Sequence, residues 1–328
     1  MKQSFFKYYI IIALLVVTNV ATLAYFNFSD ESRSRDRSGN HKKSYSTKYP
    51  LIDPARPTFE LVDLVTNVQP LREYLKSLPE ANKSWADISI YFEVLNTGSN
   101  ITVNTDKKIW PASLAKLPIA ITSMKKVDDG EWSLKETKFT LLPQDVDTKG
   151  SPELMGQIGK EFDLEFLLRQ MLLESDNTAF SILNRSLQPE EVIGIGESVG
   201  LDRAFMEDSE LSAKEYTRFY RALYLATYLS EENSQYVLNL LKESSFNDFM
   251  KSGLPADIPF AHKWGSNIER NVYGDSGIVY LGKRPYMISV LIQGKGSNPV
   301  GDRAKAHELL KEISLKSFEY MNDYKINP

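Results

Sequence analysis

The chain has no cysteine in 328 residues. That absence excludes disulfides, thiol nucleophiles, thiolate metal sites and lipid attachment through sulfur. It leaves the compartment open, because a core of this size needs no covalent staples. Histidine is nearly as scarce. His41, His262 and His307 fall in a polar N-terminal stretch, on a strand and on a helix near the C-terminus. That scatter excludes a Ser-His-Asp relay and a histidine-rich metal site. The net charge of −4 gives no basic surface, so nucleic acid is not expected as a partner. Gly194-x-Gly196 meets Val199 where a dinucleotide fingerprint needs a third glycine, and reads as a loop. Neither cofactor nor metal is expected.

Charge is absent again over the 21 residues 8–28, with an unbroken apolar run at 10–17. At ~1.5 Å per residue such a segment spans a bilayer core of ~30 Å. Lys2 and Lys7 precede it, as in a secretion signal, and its length favours an uncleaved anchor over a cleaved leader. Residues 1–28 are therefore expected to form an N-terminal transmembrane helix. Residues 29–48 hold no aliphatic side chain, so 29–50 is expected as a flexible basic tether. Arg33, Arg35, Arg37, Lys42 and Lys43 outnumber the two lysines before the anchor. Charge counting alone would thus turn the C-terminal side inward. The site chemistry below suits an envelope substrate, so an extracytoplasmic domain over 51–328 is expected.

Within that domain, helix spacing of Leu61, Leu64, Val65, Val68, Leu71 and Leu75 predicts a helix over 59–78, kinked at Pro70. Alternation predicts strands at 88–95 and 101–104. The middle of the chain is mostly helical. Asp163 is a plausible N-cap before Leu164, Leu167, Leu168, Met171 and Leu172, and Ser212 with Glu215 has capping-box spacing. Strands return at 258–266, 277–281 and 286–293, and an amphipathic helix over 304–320 closes the chain. Strands at both ends with helices between them predict an α+β fold. Its five-stranded antiparallel sheet is flanked by helices and interrupted by a helical lobe at about 113–255.

Three short patterns carry chemistry. Ser113 and Lys116 lie three apart at the start of a run apolar on nearly every side, so a helix there stacks amine and hydroxyl. A neutral lysine is a base able to activate a serine. Ser175-Asp176-Asn177 falls between two helices, where capping alone would explain all three residues. Lys263-Trp264-Gly265-Ser266 lies on a strand. Alternation sends Lys263 and Gly265 to one face and His262 and Trp264 to the other, and the glycine admits a close backbone.

Taken in order, Ser-x-x-Lys, Ser-Asp-Asn and Lys-x-Gly resemble the signature of class A β-lactamases and penicillin-binding proteins. Gly150-Ser151-Pro152, Asp176-Asn177-Thr178-Ala179 and Asp275-Ser276-Gly277-Ile278-Val279-Tyr280 are similar in matching order, so the likeness spans about 85–320. The resemblance implies Ser113 as nucleophile and Lys116 as its general base. It implies Ser175 as proton relay, Asn177 as holder of the acyl amide and Lys263 as attractor of a substrate carboxylate. Lys263 would also keep Lys116 neutral by like-charge repulsion. Gly265 would admit the substrate, and the backbone N–H groups of Ser113 and Ser266 would form an oxyanion hole.

Two departures qualify the likeness. Trp264 stands where the family usually has Thr or Ser. The Glu-x-x-Leu-Asn segment that supplies the deacylating carboxylate is missing, although Glu190, Glu191, Glu197, Glu207 and Glu210 lie in that region. The implied function is acylation of Ser113 by β-lactams or D-Ala-D-Ala-type peptides, with slow release. The competing reading is an envelope binding module that keeps the fold and turns over nothing.

Overall fold

The computed structural model describes residues 49–53, 67–147, 152–201, 209–282, 284–296 and 298–324. The expected anchor (1–28) and all but the end of the tether (29–50) lie outside them. Among the described residues no helix is long and apolar enough to cross a membrane.

The described chain opens with helix α1 (Gln69–Asn82), then strands β1 (Ala86–Val94) and β2 (Asn100–Val103). A 3-10 turn (Ala112–Ala115) leads into α2 (Lys116–Asp128). The small pair β3 (Lys138–Thr140) and β4 (Glu161–Asp163) follows, then helices α3 (Leu164–Leu173), α4 (Asn177–Ser186), α5 (Pro189–Ser198), α6 (Ala213–Tyr224) and α7 (Glu231–Lys242). Strands β5 (Phe260–Asn267), β6 (Val272–Val279) and β7 (Tyr286–Gly294) precede the closing helix α8 (Pro299–Asp323). The main sheet is antiparallel throughout, in the order β2-β1-β7-β6-β5. The five expected strands and the inserted helices are all present.

Each sheet face has its own core. Ile88, Ile90, Phe92 and Val94 of β1 cluster with Leu71, Leu75 and Leu78 of α1 and with Leu309, Leu310 and Ile313 of α8. Tyr91 joins the helical lobe instead, in one cluster with Leu117, Ile121, Leu168, Met171 and Tyr216. Period-2 alternation on β1 thus sends successive residues into two cores. On the lobe side, buried Glu93 is met by Tyr91 at 2.6 Å and by Arg221 of α6, which holds the lobe to the sheet.

Local signals set most helix starts. Asp163 Oδ1 accepts from Phe166 N at 2.8 Å, and Ser212 and Glu215 form the expected reciprocal box. Three boundaries differ from expectation. Pro70 occupies the first turn of α1 rather than kinking it, because a missing N–H costs nothing there; residues 59–66 lie outside the described set. Strand β6 starts at Val272, not 277. Gly274, Asp275, Ser276 and Gly277 are poor strand formers, yet they are paired between β5 and β7. Helix α8 starts at Pro299, where Asn298 Oδ1 caps Gly301 N at 3.1 Å.

Candidate active site

The Ser113 turn is built by strain and burial together. Ala112 has φ of +51°, a left-handed backbone that costs a non-glycine residue of order 1 kcal/mol. The 3-10 turn then eclipses residues three apart, so Ser113 and Lys116 stack more directly than in an α-helix. Tyr216 OH donates to Leu114 O at 2.8 Å, which ties the turn to α6. Beyond it, every residue of α2 from Lys116 to Met124 is buried.

Lys116 is the hub. Its Nζ lies 2.9 Å from Ser113 Oγ, 2.6 Å from Asn177 Oδ1 and 3.3 Å from Ser175 Oγ, and the residue is only 2% exposed. Burial pushes this amine down to about 8, against the opposing pull of Asp176 and Asp147. A neutral amine has two N–H donors and one lone pair. Donation to Asn177 and Ser175 leaves the lone pair for the Ser113 hydroxyl, the arrangement a general base needs.

The second motif arrives through the turn between α3 and α4. Asp176 is the N-cap, its Oδ1 accepting from Ala179 N at 2.7 Å, so the capping reading holds for that residue. Its neighbours do something else. Ser175 sits at φ +59° and Asn177 opens α4, and both side chains reach Lys116.

The third motif comes from β5. Lys263 is fully buried, and its Nζ donates to Ser175 Oγ at 2.9 Å and to Trp264 O at 3.0 Å. Ser175 thus stands between two amines. Burial and the neighbouring Lys116 push the Lys263 amine well below the ordinary lysine range. The low pKa of Lys116 comes first from burial, and like-charge repulsion between the two amines adds to the burial of Lys263.

Gly265 explains how β5 approaches Ser113. A Cβ there would lie 2.8 Å from Pro111 O and 3.0 Å from Ser113 N, closer than side chains tolerate. The strand therefore runs against the Ser113 turn, with Ser266 following directly. Trp264 turns the other way and stacks on Phe246, with ring centroids 3.8 Å apart. His262 also faces away from Ser113, and its Nδ1 pairs with buried Asp275 at 2.8 Å.

Sequence reasoning missed Asp147. Its Oδ2 accepts from Asn177 Nδ2 at 2.8 Å, and it acts electrostatically on Lys116. No motif marks it, because it comes from an irregular loop 30 residues before Asn177.

Two glutamates around the region corresponding to the missing segment are committed elsewhere. Glu191 caps α5 through Gln188 N at 2.8 Å and pairs with Lys126 at 2.5 Å. Lys126 lies ten residues along α2 from Lys116, about 15 Å away. Glu215 holds its cap and Lys108. Glu190, Glu197 and Glu210 are exposed, and Glu207 lies outside the described residues. Among the described residues no group of three or more His, Asp or Glu is placed to hold a metal ion.

The site is thus a buried serine–lysine pair joined by a second serine and a second lysine from separate elements. A family model described as the β-lactamase enzyme family matches residues 70–321, and the chain belongs to that family. No curated protein matches by sequence. Among solved structures, PBP-A is similar at 20% identity and a TM-score of 0.70, over 78% of this chain and 97% of that one. A PBP-A variant described as an acyl-enzyme complex with penicillin G gives 20% and 0.69, over 78% and 98%. A β-lactamase from Sphaerobacter thermophilus gives 20% and 0.67, over 79% and 98%. At such identities these likenesses establish the fold.

Proposed function

We propose that the chain is an envelope-anchored serine acyl-hydrolase whose Ser113 is acylated by β-lactams or by the D-Ala-D-Ala-type peptides they mimic. The observation that carries this reading is the buried Lys116 amine, 2.9 Å from Ser113 Oγ with its pKa lowered to about 8. Neutral Lys116 takes the hydroxyl proton as Ser113 Oγ attacks the acyl carbonyl. The backbone N–H groups of Ser113 and Ser266 stabilise the oxyanion. As the C–N bond breaks, Ser175 Oγ passes a proton to the leaving nitrogen and is resupplied from the lysine pair that flanks it. An ester on Ser113 results.

Release of that ester needs a water and a base to activate it. With the described glutamates of 190–215 capped, paired or exposed, we propose that the ester persists for minutes or longer. A missing general base is typically worth 10²–10⁴-fold in rate. The penicillin acyl-enzyme described for the PBP-A variant supports β-lactams as the substrate class. Residues 1–28 would hold the domain at the outer face of the membrane through the tether, where such substrates occur.

Labelling with a fluorescent penicillin tests the reading. Covalent label on the native chain and none on Ser113→Ala is expected. An unlabelled native chain would restore the non-catalytic binding module, and a labelled variant would move the nucleophile elsewhere.

A further inference from the structure

Asp147 stands across the Asn177 amide from Lys116, and its position is well supported. Its backbone N–H donates to Thr178 Oγ1 at 3.0 Å. Two residues earlier, Arg185 of α4 forks onto Asp145 with both N–O distances at 2.9 Å. Asp145 in turn accepts from Leu142 N at 2.9 Å. The loop is thereby pinned to the same helix that carries Asn177.

A carboxylate accepts and never donates, so Asn177 must turn Nδ2 toward Asp147 and Oδ1 toward Lys116. One N–H of Nδ2 then remains without a partner among the described residues. That N–H is the group which the family resemblance assigns to the acyl-amide carbonyl of a substrate. One nitrogen would thus hold both the substrate and Asp147. Two hydrogen-bond lengths, about 6 Å, separate the carboxylate from that carbonyl, and substituents on the adjacent α-carbon lie at a comparable distance. Charges this close interact appreciably in a partly buried setting.

We propose that Asp147 makes the site selective by charge, favouring acyl donors with an ammonium group on the carbon next to the acyl carbonyl and disfavouring those with a carboxylate there. The inference rests on the acylation reading above. It adds a specificity residue that neither Ser113 nor Lys116 could supply, since both lie on the other side of the Asn177 amide.

Three penicillins test it on the full chain at pH 6.5, where an α-amine is mainly protonated. They are ampicillin (α-ammonium), benzylpenicillin (no α-charge) and carbenicillin (α-carboxylate). Acylation constants of the native chain should fall in that order. In Asp147→Asn the ampicillin-to-carbenicillin ratio should drop about tenfold, the scale of one attraction lost and one repulsion relieved. Any disturbance of Asn177 slows all three and cancels in the ratio. On the native chain alone, raising salt to 1 M shrinks the Debye length to about 3 Å, and the ratio should narrow. Labelling by all three with a ratio that neither the variant nor salt moves overturns the inference and leaves the acylation reading intact. Labelling by none overturns both.

Discussion

Two regions of the molecule hold similar residue types and use them differently. Around Lys116, two serines and an amide meet one buried amine, and an aspartate and a second lysine bond that amide and one of those serines, the group drawn from four separate segments. Across 187–215, carboxylates are as frequent, yet the described ones cap helices, pair with surface lysines or face solvent. Residue type does not separate the regions; burial does. A group taken out of water with incomplete charge compensation shifts its pKa, and one that completes a cap is spent on local structure. On the proposed reading the first region carries acylation, while the described carboxylates of the second are engaged elsewhere or exposed.

The largest effect that would break this comparison is at Lys116. Lys116→Met should slow penicillin labelling by about 10²–10⁴-fold, with some loss of stability because Asn177 Oδ1 loses its donor. Labelling at the native rate would remove Lys116 as the base. The pH profile sharpens the same point. Below about 8 the amine is protonated and has no lone pair, so acylation should fall close to tenfold per unit as pH drops, and level off above 8. A profile flat from pH 6 to 9 contradicts the assignment.

Smaller effects belong to the second region. Ser212→Ala removes a helix cap and should cost about 1 kcal/mol of stability in denaturant unfolding, with labelling unchanged within twofold. Smallest of all is Glu191→Gln, which weakens a partly exposed pair by at most about 1 kcal/mol. The lifetime of the Ser113 ester should not change. A tenfold longer lifetime in that variant would mean Glu191 activates water, and the comparison would collapse.

How much of this was legible in the sequence follows from how local each feature is. Strand alternation on β1, the Asp163 and Ser212 caps and the apolar wrapping of α2 are set by neighbours in the chain, and they were read correctly. The three motifs were legible as a set in order. What failed depends on the rest of the fold. Gly274 to Gly277 pair as strand because β5 and β7 lie on either side of them. Pro70 was read as a kink because the true start of α1 could not be seen. The full burial of Lys263 could not be known from a four-residue pattern. Asp147 was invisible because its partner Asn177 lies 30 residues on.

The central claim is that this site acylates readily and releases slowly. Intact-mass spectrometry after a short penicillin pulse, followed over time, tests it directly. The account predicts one added penicilloyl mass on the native chain, absent in Ser113→Ala, that persists for minutes or longer. Rapid hydrolysis of the penicillin with no adduct at any time point would contradict it.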